Sequence, residues 1–158
     1  MGKLAMTEAG LYLERFLQNR PILVENSRKV ISQSIKSGDV VLDIGAGPGV
    51  LAEMLENMTS DCAIYGVEIN PGFHQYGVEL AGKLKRNKYF PINEDIRTAD
   101  LRKLPPIDTI CFMRSLHEVS RSLEERVDTV ERLRRFTRLD TKVIISDPFY
   151  IQEIQQTL

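Results

Sequence analysis

The stretch Asp39 to Leu55, DVVLDIGAGPGVLAEML, decides how this chain folds. Val40, Val41, Leu42 and Ile44 make a short apolar run without polar alternation, the pattern of a strand buried on both faces of a parallel sheet. Glycines follow at once. Without side chains at Gly45, Gly47 and Gly49 the backbone turns tightly and a ligand can approach it. Pro48 suits the first turn of a helix, where a missing amide hydrogen does no harm, and Leu51, Met54 and Leu55 give that helix an apolar side. Strand, glycine turn and helix start together predict a nest of free N–H groups at a positive dipole end, suited to an anionic group.

The spacing selects among ligands. A dinucleotide fingerprint requires G-x-G-x-x-G, its third glycine allowing close helix-to-strand packing, and here that position is Val50. The pattern present is D-x-G-x-G-x-G, beginning at Asp43. A carboxylate beside an amide nest repels a pyrophosphate and can receive an ammonium, so the loop suits a zwitterion: a ligand carboxylate near the helix start and its amino group near Asp43.

This arrangement resembles the opening of the nucleotide-binding core in class I S-adenosylmethionine-dependent methyltransferases. The resemblance implies S-adenosylmethionine as cofactor. It places the donor's amino-acid end along Asp43, Gly45, Ala46, Gly47 and Gly49. It also implies an α/β, Rossmann-like three-layer sandwich, with a mostly parallel five-stranded sheet in the order 3-2-1-4-5 and helices on both faces.

Composition agrees with one ordinary domain, 1–158: 42% hydrophobic and 27% charged residues with a net charge of −1 carry no bias toward nucleic acid or membrane surfaces. Cys62 and Cys111 fall in apolar, strand-like segments without metal-ligand spacing, so no metal site is expected and a reducing compartment is. No long apolar run or basic-then-apolar leader stands in the sequence, and a cytoplasmic, membrane-free protein is expected.

Ahead of the core, residues 1–37 read as helices broken at Pro21, with Leu11, Phe16 and Leu17 on one face of the first and Leu23, Val30, Ile31 and Ile35 on one face of the second. By resemblance such helices lie over the cofactor, which makes Tyr12 and Phe16 candidate lining residues. Aromatics at helical spacing read first as packing.

The second strand, Cys62 to Ile69, ends on Glu68, 25 residues beyond Asp43. An acid there accepts hydrogen bonds from ribose hydroxyls in nucleotide-binding βαβ units, and Glu68, with Ile69 beside it, matches the family's ribose site. Asn70 and Pro71 cap the next helix, whose Phe73, Tyr76 and Leu80 recur at helical spacing. Lys88 to Asn93 is a third strand, and its Pro91 favours an edge. By resemblance the acid that follows reaches the adenine amine: Asp95, with Glu94 as competitor and Ile96 as apolar neighbour.

Ile107 to Arg114 is the fourth strand, with Asp108 structural at its start. The segment Ser115 to Val119, SLHEV, resembles that following the fourth strand in small-molecule methyltransferases. That likeness places Arg114 and Ser115 against the cofactor. His117 is the candidate base for an acceptor hydroxyl or amine, with Glu118 orienting it or acting alone.

Ser122 and Glu125 open a capped helix whose buried face is read as Leu123, Val127, Val130 and Leu133. Its basic end, with Arg132, Arg134, Arg135 and Arg138, reads as solvated, leaving nucleic acid as acceptor neither indicated nor excluded. Lys142 to Ser146 is the fifth strand. The family adds a sixth and seventh, which the nine residues after Phe149 cannot supply. The fifth strand is therefore expected at an open edge, covered either by Tyr150 to Leu158 or, as favoured here, by a second subunit in a two-fold homodimer through this edge or its flanking helices. A cofactor-binding regulatory subunit and a nicotinamide-dependent oxidoreductase are the competing functions. Val50 argues against the latter.

Overall fold

The computed structural model describes residues 8–19, 21–58, 61–119 and 122–146. Its sheet contains β1 (Val40–Ile44), β2 (Ala63–Val67), β3 (Lys88–Ile92), β4 (Ile107–Met113) and β5 (Thr137–Ser146), in the order β3-β2-β1-β4-β5. Every pairing is parallel, so the expected order holds and the sheet is wholly parallel among the described residues. Asp108 is structural, as expected: its carboxylate accepts the Val40 amide hydrogen and pairs with Arg138, pinning β4 to its neighbours.

Two helices, α1 (Glu8–Asn19) and α2 (Pro21–Ser34), precede the sheet, and α3 (Val50–Glu56) and α4 (Pro71–Ala81) follow β1 and β2. The four-residue α5 (Leu116–Val119) and α6 (Leu123–Arg134) link β4 to β5. Parallel crossovers are right-handed. Stepping from β1 to β2 therefore sends α3 to one face, and stepping the opposite way from β4 to β5 sends α6 to the other.

Side-chain alternation divides the core accordingly. Val41, Ile64, Tyr89, Cys111 and Ile144 pack with α2, α3 and α4. Leu42, Ile44, Val67, Ile110 and Phe112 pack with Ile96 to Leu101, Leu116 and Leu133. The step direction reverses between β1 and β4, which opens a crevice at the carboxyl ends of the strands.

Several local expectations are corrected. Pro48 lies in the turn before α3, which starts at Val50 with Gly49 as its cap, so the glycine loop is longer than the proline position implied. The covered face of α2 is Val24, Ser27, Ile31 and Ile35, whereas Val30 is exposed; the side chains of Phe16, Leu17 and Leu23 lie outside the described residues. The β-α-β alternation of the family fold calls for a helix between β3 and β4, and in its place stands a 3₁₀ turn, Leu101–Lys103, capped by Asp100. The outer strand begins at Thr137, with a bulge between Thr137 and Lys142, and among the described residues it pairs with β4 alone.

α6 differs most. Leu123, Val127 and Val130 are exposed, and Leu133 and Thr129 are its buried residues. Thr129 is admissible there because its hydroxyl donates to the Glu125 carbonyl at 2.8 Å. Tyr150 to Leu158 lies outside the described residues.

Candidate active site

A cleft of about 550 Å³ opens at the carboxyl ends of β1, β2 and β4. Its wall brings together Gly45, Gly47, Glu68, Ile69, Asp95, Ile96, Arg114, Ser115, His117 and Glu118, all singled out from sequence. Ala46 and Gly49 do not reach it. Ala46 is buried with its amide on the Val67 carbonyl, and a Cβ on Gly49 would point into Leu80 and Tyr89, so these residues shape the loop from behind.

The glycine turn is held from both sides. Gly45 adopts φ 67°, and a Cβ there would sit 2.5 Å from the Cβ of Ser115, whose hydroxyl donates to the Ile44 carbonyl. From the other side, Gly47 N–H donates to Glu68 Oε2 at 2.8 Å and Asn70 N–H to Oε1 at 2.7 Å. Gly45 and Ala46 give their amides to Val67 O, and Gly49 gives its own to Ala46 O. Within the turn, the amides of Gly45, Ala46, Gly47 and Gly49 are thus already partnered. What the turn presents to the cleft is the Glu68 carboxylate, only 8% exposed and still holding unused lone pairs. An anionic ligand group is disfavoured beside it; hydroxyls suit it.

Asp43 lies elsewhere than its motif position implied. It is fully buried on the Val41 side of β1, beneath the turn and off the cleft wall, and neither carboxylate oxygen has a hydrogen-bond partner among the described residues. Burial, then the nearby Glu68 charge, pushes its pKa to about 7. Burial first, and then the Asp43 charge, pushes up the Tyr89 phenol and the Cys111 thiol. An ammonium in the cleft therefore feels Asp43 through its field rather than by contact.

On the far wall, Asp95 takes the Arg97 guanidinium in a fork of 2.6 to 3.0 Å as well as the Arg97 amide, which holds its carboxyl below the usual range. Glu94 lines the same stretch. Arg114 is the one described non-glycine residue with positive φ, 61°, a kink that ends β4 and turns the chain into α5. There His117 Nε2 lies 3.4 Å from Glu118 Oε1, with the histidine side chain 26% exposed and the glutamate 79%.

Tyr12 lines the cleft and also packs, its ring 5.5 Å from that of Phe73. Phe16's side chain lies outside the described residues. Two positions went unread in the sequence. Asn93 donates to the carbonyls of Glu68 and Ile69, fixing the exit from β2; its place after β3 was the available signal. Gly66 carries no side chain because Tyr89 fills the space a Cβ would occupy, at 2.6 Å.

With this geometry in view, the comparisons with known proteins give the class. A family model for methyltransferase domains matches residues 42–145, and the chain belongs to that family. No curated protein matches it. The fold is that of solved S-adenosylmethionine-dependent methyltransferases. One from Aquifex aeolicus superposes with a TM-score of 0.62 at 21% identity, over 80% of this chain and 66% of that one. The sugar N-methyltransferase KedS8 from a Streptoalloteichus species gives 0.61 at 17%, over 93% and 56%. A methyltransferase from Geobacter sulfurreducens in complex with S-adenosylhomocysteine gives 0.58 at 17%, over 79% and 47%. The chain thus spans about half to two thirds of the length of these structures. Among the described residues no helix is long and apolar enough to cross a membrane, and no cluster of potential metal ligands occurs.

Proposed function

We propose that this chain is an S-adenosylmethionine-dependent methyltransferase acting in the cytoplasm on an acceptor not yet identified. The observation that carries the reading is Glu68, nearly buried at the cleft and clamped by two backbone amides, which orients its remaining lone pairs toward hydroxyl donors. Open space over Gly47, where a Cβ would meet nothing within 4 Å, leaves room for the cofactor's amino-acid portion. Ile69 and Ile96 offer apolar surface for a base, beside Asp95. S-adenosylmethionine, when bound, supplies a methyl group made electrophilic by its sulfonium.

The chain's part is positioning, the largest contribution to a displacement that needs attacker and leaving group in line. His117 takes the proton from the acceptor, with Glu118 beside it to orient the ring. Glu94 and Glu118 leave the cleft rim acidic, a field that draws cations, so amines lead the acceptor panel. A sugar N-methyltransferase stands among the similar structures. Cys62 and Cys111 are buried thiols, as suits a reducing compartment.

Calorimetry with S-adenosylmethionine, S-adenosylhomocysteine and NAD tests the cofactor, and transfer of labelled methyl to an amine and hydroxyl panel tests the reaction. Binding of the first two ligands and not NAD is expected, with His117→Ala lowering turnover about 100-fold while cofactor affinity stays. Folded protein that binds neither sulfur ligand overturns the proposal.

A further inference from the structure

α6 leaves an apolar stripe uncovered. Leu123, Val127 and Val130 follow one another at helical spacing and are 72%, 53% and 45% exposed. The stripe runs into a groove of about 350 Å³ between α6 and β5, lined by Val130, Leu133, Leu139 and Val143. Leu139 and Val143 are exposed, and β5 beside them is the outermost strand of the sheet among the described residues. A contiguous apolar surface next to an outermost strand is uncommon on a protein that works alone.

The charges on α6 indicate what covers it. Its first half carries Glu124, Glu125 and Asp128 against Arg126, and its second half, with the capping Arg135, carries Arg132 and Arg134 against Glu131. Arg134 pairs with Glu131 at 3.0 Å and Arg132 is held on the Ala99 carbonyl, so the end stays net basic. The helix is acidic at one end and basic at the other, with the apolar stripe spanning both. A second α6 laid antiparallel, about a two-fold axis between Val127 and Val130, sets each acidic end on the other's basic end while the stripes cover one another. A partner of uniform charge satisfies only one end.

We propose that α6 and the adjoining groove form the interface of a two-fold homodimer, α6 packing antiparallel on α6 of a second copy with the acidic start of each facing the basic end of the other. Because Val127 is exposed, Val127→Asp leaves the monomer's core intact.

Sedimentation equilibrium from about 1 to about 100 µM, with circular dichroism to verify folding, tests this. A dimer is expected for the wild type and a monomer for Val127→Asp. Glu124→Arg and Arg134→Glu should each weaken association about tenfold, and the double variant, which restores complementary ends, should recover most of it. A wild type that sediments as one chain throughout overturns the proposal, as would follow if residues 147–158 of the same chain filled the groove. A dimer indifferent to Val127→Asp and to both charge reversals overturns it equally.

Discussion

Glu68 and Gly47 are joined by a single 2.8 Å hydrogen bond that ties the end of β2 to the turn after β1. The carboxylate that faces the cleft is therefore also the brace of the loop beside it. Glu68→Gln keeps one acceptor oxygen and turns an amide toward a second N–H, so one of the two backbone bonds is lost with the charge. Affinity for S-adenosylhomocysteine should fall about 10- to 100-fold with the fold retained. Calorimetry on the variant checks this, and unchanged affinity would mean that the sugar is held by other groups.

Gly45 meets Ser115 so closely that a methyl group cannot be added without movement, and its φ of 67° is strained for any other residue. Gly45→Ala should cost about 2 to 4 kcal/mol. Ser115→Gly removes the collision but also the hydroxyl bond to Ile44, so the comparison is made within a double-mutant cycle: in the Ser115→Gly background Gly45→Ala should cost about half as much, read by urea denaturation.

Asp43 makes stability depend on pH in an unusual direction. Its folded pKa, about 7, lies above the ordinary 3.8, so the folded state binds the proton more tightly than the unfolded one. Its contribution is fully present below pH 3.8 and is lost as pH rises toward 7, because the buried carboxylate must then ionise. The loss amounts to about 4 kcal/mol at most. Thermal midpoints should drop between about pH 4 and about pH 7 and level off above, and Asp43→Asn should flatten that slope.

On α6 the two sides should respond differently. Leu133 is 4% exposed within the core and Leu123 is 72% exposed. Leu133→Ala should cost about 3 kcal/mol and Leu123→Ala within about 0.5 kcal/mol, measured by denaturation at a concentration too low for association.

The central strand, the glycine turn and Glu68 were legible because each rests on a local rule: continuous apolar residues, backbone freedom, an acid at a strand end. Strand order followed from the family resemblance of that turn. The exposed side of α6 was not legible, since periodicity shows which apolar residues share a face but not whether anything lies against it. Asp43 was misplaced for a different reason. Its motif position points to a ligand, whereas the two-residue alternation shared with Val41 turns it beneath the loop. The partnered amides of the turn depended on where β2 ends relative to β1, a tertiary fact.

The connection from β3 to β4 is a single 3₁₀ turn, whereas the opposite side of the sheet is clad by three helices. Deuterium should therefore enter unevenly. Amides of β5, an outer strand among the described residues with most of its side chains exposed, should exchange through small local openings, while those of the central β1 wait for the whole domain to come apart. The molecule has a soft flank and a hard one, and the cleft sits on the seam between them.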